Sequence, residues 1–112
     1  MSEPRLKTGF WVSMAIRRAD QEGRSGMVLR RGDADAGGVL AVLRDRTGGV
    51  LVLSQVRGMD GEAAWMRGTG ATPVDDATAD AYVQRQVGRD PDLWVLEFDA
   101  PDLMPPFEAK LV

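Results

Sequence analysis

Two β-prone apolar segments separated by a three-residue glycine turn place the strongest constraint on the fold of this chain. Residues 39–46 and 50–57 are rich in valine and leucine, and Thr47-Gly48-Gly49 lies between them. This pattern is typical of an antiparallel hairpin, because glycine adopts the backbone angles that tight turns require. A second turn at residues 58–61 leads to another short apolar segment, residues 63–67. We therefore expect three sequential strands to form the centre of the sheet.

A first helix is predicted ahead of this meander. The segment from Phe10 to Glu22 fits a short extended entry that runs into a helix, since its apolar residues satisfy both periodicities. Gly23 follows and is placed to end the helix in a left-handed conformation. Residues 27–31 then have the composition of a short strand.

A second helix is predicted from Asp75 or Asp76 to about Val87. An aspartate at the start can cap the helix, acidic residues precede basic ones as the helix dipole favours, and Gly88 is placed to end it. Asp90-Pro91-Asp92 then forces a break, and residues 93–98 alternate large apolar side chains as a last strand would.

These elements predict an α+β fold with a mostly antiparallel sheet of about five strands and two helices packed on one face. The 112 residues fit one domain, with a polar tail at residues 1–8 and a proline-rich, irregular tail at residues 100–112. The order of the strands in the sheet stays open.

The chain contains no histidine and no cysteine, which excludes most common reaction chemistry. Histidine-dependent triads, thiolate nucleophiles, iron–sulfur clusters and most zinc sites need those residues. Phosphate-loop, nucleophile-elbow and dinucleotide-binding motifs are also missing from the sequence. We therefore expect a non-enzymatic protein without a cofactor.

The net charge and hydropathy of the chain indicate its cellular location and the kinds of partner that it avoids. The formal net charge is −3 and the isoelectric point is near 4.9, which disfavours a nucleic-acid binder. The sequence shows neither a secretory signal nor an apolar stretch of membrane-spanning length. These features predict a cytoplasmic protein without membrane contact.

The end of the predicted strand at residues 27–31, together with the loop after it, is the best candidate for a ligand or partner surface. It combines two guanidinium groups, two carboxylates and several glycines, in the order Arg30, Arg31, Gly32, Asp33, Asp35 and Gly37. Such a loop could cradle a small anion or contact a protein partner. A hard cation held by Asp33 and Asp35 is the alternative, although calcium loops supply more oxygen ligands. A turn in which both aspartates bond their own backbone is favoured over the metal site.

Other residue classes leave alternatives open. Arginine pairs at positions 17 and 18, 44 and 46, and 85 and 89 could converge with the candidate loop on an anion pocket, but solvated ion pairs are favoured. Trp11, Trp65 and Trp94 are expected mainly in the core. The methionines are expected mostly to fill core gaps, with an interaction surface as the alternative.

Three stretches together resemble a known family. They are Phe10-Trp11-Val12-Ser13 running into Ile16-Arg17-Arg18, then residues 29–37 followed by an apolar strand, then Tyr82 to Gln86 with residues 90–95. This combination is similar to bacterial proteins catalogued as domain of unknown function 1491, over about residues 6–99. The resemblance implies a small bacterial intracellular protein and supplies no activity, cofactor or catalytic residue.

The leading functional hypothesis is therefore a non-enzymatic binding or protein-interaction module. The alternative is a metal-assisted hydrolase that uses Asp33 and Asp35. A homodimer formed through an edge strand or an aromatic surface is a third possibility.

Overall fold

The computed structural model describes residues 6–112, which form two helices and one five-stranded sheet. In chain order the elements are α1 (Thr8–Gln21), β1 (Gly26–Arg30), β2 (Val39–Arg44), β3 (Val50–Arg57), β4 (Ala63–Arg67), α2 (Asp76–Arg89) and β5 (Trp94–Asp99). The predicted α+β class and five strands are confirmed. The N-terminal tail is predicted to span residues 1–8, but helix α1 already begins at Thr8. Residues 1–5 of that predicted tail lie outside the described part of the chain.

The predicted hairpin between β2 and β3 is confirmed. Arg44 pairs with Val50 across the turn, and Gly48 has a φ of 91°, which an L-residue with a side chain rarely adopts. The Asp45 carboxylate accepts hydrogen bonds from the main-chain N–H groups of Thr47 at 2.8 Å and Gly49 at 2.7 Å. The turn chemistry thus fixes the register of the two strands.

The order of the strands is β1-β5-β2-β3-β4. All neighbours are antiparallel except β2 and β5, which run parallel with Val39 opposite Trp94 and Leu43 opposite Phe98. The last strand of the chain thus lies between β1 and β2, and β4 lies at an edge. The expectation that β2, β3 and β4 form the centre is therefore wrong for β4.

The two helices pack on opposite faces of the sheet, so the expectation that they share one face is wrong. On one face, α1 buries Val12 and Ala19 against alternate residues of β2, which are Val39, Ala41 and Leu43. On the other face, α2 buries Ala79 and Val83 against the intervening residues Leu40 and Val42. Because successive side chains of a strand point to opposite faces, β2 contributes to two separate cores.

The ends of the helices follow from particular residues. Gly23 has a φ of 73°, its N–H donates to the Asp20 carbonyl, and the Arg24 N–H donates to the Ala19 carbonyl, as in a Schellman cap. The left-handed Gly23 is therefore confirmed. Gly88 is not a cap, because α2 continues through it to Arg89. The helix ends where Pro91 disfavours helical angles for Asp90, whose φ is −141°.

The C-terminal segment is irregular, as predicted, but it completes the core on the α1 side. The Phe107 ring is 8% exposed and its centroid lies 5.2 Å from Trp11, 5.0 Å from Trp65 and 5.8 Å from Phe98. Trp65 and Trp94 are each 3% exposed, so their predicted core placement is confirmed. The segment is thus a packed part of the fold.

Candidate functional site

The predicted ligand loop connects β1 to β2 and is held against two other parts of the molecule. On one side lie residues 91–94, which lead into β5, and on the other side lies the start of α1. Arg30 is the last residue of β1, and the other five predicted site residues belong to this connection. Their contacts show what each group does in the folded chain.

The two arginines of the loop are engaged within the protein. Arg30 Nη1 donates to the main-chain carbonyls of Pro91 at 2.8 Å and Leu93 at 2.9 Å. The Arg31 guanidinium lies over the ring of Trp94, 5.5 Å from its centroid, as in a cation–π contact. Arg30 therefore connects the end of β1 to the segment that leads into β5 by hydrogen bonds. Arg31 packs over the buried side chain of Trp94.

Two glycines of the loop are required by close backbone approach. A Cβ atom on Gly32 would lie 2.2 Å from the carbonyl oxygen of Asp92, and one on Gly37 would lie 2.4 Å from the same atom. Atoms cannot approach so closely, so only glycine fits at either position. The loop is thus pressed against the Asp92 carbonyl from two sides.

The two aspartates stabilise the conformation of the loop. The Asp33 carboxylate accepts from the Ala36 N–H at 2.9 Å, and the Asp33 carbonyl accepts from the Trp94 indole N–H at 2.8 Å. The Asp35 carboxylate lies 3.7 Å from the Lys7 ammonium group in an exposed ion pair. The Asp33 contact is the predicted bond of an aspartate to its own backbone, whereas the Asp35 carboxylate pairs with Lys7 instead. Within residues 6–112, no group of three or more acidic side chains is arranged to hold a metal ion.

Arginines from other elements meet at a polar cavity of about 340 Å³. Arg24, Arg44 and Arg46 line it together with the carboxylates of Glu22, Asp45 and Asp99. Arg44 also bonds Glu97 and Asp76, and these hydrogen bonds raise the pKa of its guanidinium. Arg24 forms a bidentate pair with Asp102 at 3.0 and 3.1 Å. Arg44 and Arg46 line this cavity together, but no residue of the candidate loop lines it, and carboxylates balance its charge.

In the described part of the chain, the two edge strands of the sheet differ in what lies beside them. At β4, the Trp65 N–H donates to the Lys110 carbonyl at 2.8 Å and the Val112 N–H donates to the Trp65 carbonyl at 2.9 Å. The C-terminal segment thereby forms an isolated parallel bridge to β4 at Trp65. At the other end of the sheet, β1 pairs with β5 on one side only.

Three consecutive apolar side chains of β1 are exposed. The exposed fractions are 51% for Met27, 44% for Val28 and 51% for Leu29. Leu29 also lines an apolar groove of about 280 Å³, whose wall on the far side is Ala79 and Val83 of α2. The floor of this groove is Val42 and Val95, and its rim carries Arg44, Asp76 and Asp80. We name β1 and this groove the β1 surface.

The direction of the free hydrogen-bonding groups on β1 follows from its register with β5. The Asp99 N–H donates to the Ser25 carbonyl at 3.0 Å, and Met27 lies opposite Glu97. Hydrogen-bonded pairs alternate along an antiparallel ladder, so Met27 also bonds toward β5. The main-chain groups of Gly26 and Val28 therefore point away from the sheet. A bulge between Val28 and Arg30 ends this regular stretch.

The β1 surface was not among the sequence-based candidates. One signal for it is that Met27, Val28 and Leu29 are apolar without alternation, although a strand covered on a single face should alternate. A second signal is the methionines. Met14, Met27, Met59 and Met66 are all at least 44% exposed, so the expectation that methionine mostly fills core gaps is wrong for these four.

A mixed five-stranded sheet with one helix on each face defines a small α+β protein. The chain belongs to the DUF1491 family of proteins of unknown function, whose model matches residues 6–108. The predicted family membership is confirmed. No helix within residues 6–112 has the length and apolar character needed to cross a membrane.

Solved structures share this fold. A crystal structure of a DUF1491 family protein from Caulobacter crescentus is 35% identical, covers 96% of this chain and 100% of its own, and has a TM-score of 0.86. An NMR structure of a DUF1491 family protein from the same organism is also 35% identical, with coverages of 98% and 99% and a TM-score of 0.85. The solution structure of Atu0922 from A. tumefaciens is 24% identical over 95% of both chains, with a TM-score of 0.79, and shares the fold. No curated protein matches the chain significantly.

Proposed function

We propose that this protein is a non-enzymatic protein-interaction module that binds an extended protein segment along β1. The observation that carries the proposal is the contrast between the two edges of the sheet. At β4 the main-chain groups of Trp65 bond Lys110 and Val112, whereas on β1 the outward main-chain groups of Gly26 and Val28 have no partner within residues 6–112 and lie beside exposed apolar side chains. Adding a strand to an exposed edge is a common mode of protein recognition.

The groove beside β1 supports specificity for an apolar side chain. A strand added to β1 brings every second side chain to the face that carries Met27, Leu29 and the groove. Val42 and Val95 supply an apolar floor for such a side chain, while Asp80 on the rim favours a basic neighbour. Main-chain hydrogen bonds to β1 then provide the affinity for a bound segment, and the groove provides specificity for its side chains.

The candidate loop takes a different role in this proposal. Arg30 donates to the carbonyls of Pro91 and Leu93, and the Asp33 carboxylate accepts from the Ala36 N–H. These contacts support a loop that holds β1 beside β5, so that the edge strand is fixed before a partner arrives. No contact of Asp33 or Asp35 favours the hydrolase alternative.

Substituting proline for Val28 tests strand addition directly. Proline removes the N–H that points outward, while the bonds from β1 to β5 are kept, so the fold should persist. A phage-displayed library of random peptides is selected on the immobilised wild-type protein. We expect enrichment of extended peptides with alternating apolar residues, amide shifts at Gly26 and Val28 when a selected peptide binds, and at least tenfold weaker binding to Val28→Pro.

Val28→Ala is the matched control, because it shortens the same side chain and keeps the N–H. If Val28→Pro proves unstable, Val28→Lys places a charge on the edge and should weaken peptide binding without changing the main chain. The proposal is wrong if no peptide is enriched, or if selected peptides bind Val28→Pro and Val28→Lys as tightly as the wild type.

A further inference from the structure

We infer that the segment occupying the edge is β1 of a second copy, in an antiparallel pair in which Met27 lies opposite Met27 of the other copy. This inference rests on the proposed function, because it names the partner for the same edge. A two-fold axis through the pair would join two five-stranded sheets into one continuous sheet. Such isologous contacts are the commonest basis of homodimers.

The register follows from the free groups of β1. Gly26 and Val28 are the residues whose N–H and C=O point outward, and they are separated by one residue. Placing Gly26 of one copy opposite Val28 of the other uses the outward groups of both residues on both strands, in two hydrogen-bonded pairs. Met27 then forms the pair between them, where bonding groups point inward. The bulge beyond Val28 lies outside the required contacts.

Side-chain sizes agree with this register. Gly26 has no side chain, and the Phe98 ring occupies the space where one would begin, with a ring carbon 2.9 Å from the position of a Cβ. Val28 of the second copy would therefore lie opposite Gly26, next to which the Phe98 ring packs. On the other face, Met27 would meet its own counterpart and Leu29 would lie opposite Ser25. The exposed apolar side chains of both strands are buried together.

The neighbouring charges do not oppose the pairing. Arg24 and Arg30 would lie across from one another, which places like charges together if both side chains are free. Arg24 is held in its bidentate pair with Asp102, and Arg30 Nη1 donates to carbonyls on the β5 side. Glu97, the neighbour of Met27 on β5, is bonded to Arg44. Each charge flanking the three central residues thus has a partner within its own chain.

Disulfide cross-linking tests the register, and the absence of native cysteine makes each introduced thiol unique. In the proposed pair the two Met27 Cα atoms are about 4.5 Å apart, within the range that a disulfide spans. The two Leu29 residues are separated by about four residues of strand, roughly 13 Å, which is out of reach. We expect Met27→Cys to form a covalent dimer at least tenfold faster than Leu29→Cys under the same oxidation. Equal rates, or faster dimerisation of Val28→Cys, would overturn the register.

Sedimentation analysis of the unmodified protein tests the association itself. We expect a concentration-dependent dimer for the wild type and for Val28→Ala, and a monomer for Val28→Pro and Val28→Lys. A wild type that stays monomeric at millimolar concentration overturns the inference. Peptide selection distinguishes this failure from that of the proposed function, because a monomer that still binds extended peptides through Val28 retains the proposed function and lacks only the second copy.

Discussion

The Arg30 guanidinium donates to the main-chain carbonyl of Pro91 at 2.8 Å, joining the end of the first strand to the connection that precedes the last one. The same nitrogen also donates to the Leu93 carbonyl at 2.9 Å. In the sequence Arg30 resembles a ligand-binding arginine. In the folded protein it stabilises the contact between two parts of the chain that are distant in sequence.

Arg30→Met should therefore lower the free energy of unfolding. Hydrogen bonds to a charged group contribute about 1.5–3 kcal/mol, and methionine keeps the length of the side chain without its donors. Arg85→Met is the matched control, because Arg85 is exposed on α2 and its replacement should change stability by less than about 0.5 kcal/mol. Urea unfolding measures both. Equal stability of the two variants would show that the Arg30 contacts contribute nothing.

Alanine substitutions at Gly32 and Gly88 should change the free energy of unfolding in opposite directions. Gly32→Ala places a Cβ 2.2 Å from the Asp92 carbonyl oxygen and should destabilise by about 1–3 kcal/mol, because a backbone atom has to move. A Cβ on Gly88 meets no atom within 4 Å, and Gly88 lies within α2. Gly88→Ala should therefore stabilise by roughly 0.5–1 kcal/mol. Thermal unfolding of the pair tests the signs, and a stable Gly32→Ala would contradict the packing of this loop.

Removal of residues 110–112 should create a second open edge at β4. These residues supply the partners of the Trp65 main-chain groups, so their deletion leaves the outer side of β4 without those bonds and prone to association, while β4 stays paired with β3. Light scattering should detect larger assemblies than the wild type forms. Phe107→Ala is the comparison, since it should cost about 3–5 kcal/mol through the lost core ring while leaving the edge paired. A truncated chain that behaves like the wild type in solution would refute the closing role of this segment.

Stability should be nearly constant between about pH 5 and 7 and fall below about pH 4. No histidine titrates in that interval. Local hydrogen bonds lower the pKa of four aspartates below the ordinary value of 3.8, namely Asp45, Asp60, Asp75 and Asp102. The N–H groups of Thr47 and Gly49 act on Asp45, and Arg24 acts on Asp102.

The sign of this effect follows from proton binding. Because the folded pKa values are the lower ones, the unfolded chain binds more protons near pH 4, and stability is lost as the pH falls from the ordinary value toward the depressed ones. Urea unfolding at successive pH values measures the loss. Asp102→Asn should reduce the slope below pH 4, and a stability transition near pH 6 would contradict the expectation.

Local chemistry in the sequence was sufficient to predict the elements that depend on neighbouring residues. The β2–β3 hairpin and the left-handed Gly23 follow from short-range patterns. The faces on which the helices pack do not, because an apolar stripe shows that a helix is buried without showing which side of the sheet covers it. One signal was available, since residues 39–43 of β2 form an uninterrupted apolar run of the kind that is covered on both faces.

The candidate site depended on longer-range contacts. The sequence showed that residues 30–37 combine charges with glycines, but the Asp92 carbonyl that occupies the space beside Gly32 and Gly37 comes from a distant part of the chain. The parallel pairing of β2 with β5 is equally non-local, and together with the pairing of β1 to β5 it places β1 at an edge.

The position of β5 between β1 and β2 sets an order on the completion of the fold during synthesis. The meander from β2 to β4 consists of consecutive strands and can pair as soon as it leaves the ribosome. Gly26, however, pairs with Phe98, so β1 is without a strand neighbour until β5 has been made. A nascent chain interrupted before Trp94 therefore exposes the unpaired β1 together with the uncovered flank of β2. The synthesis of β5 thus decides whether β1 enters the sheet.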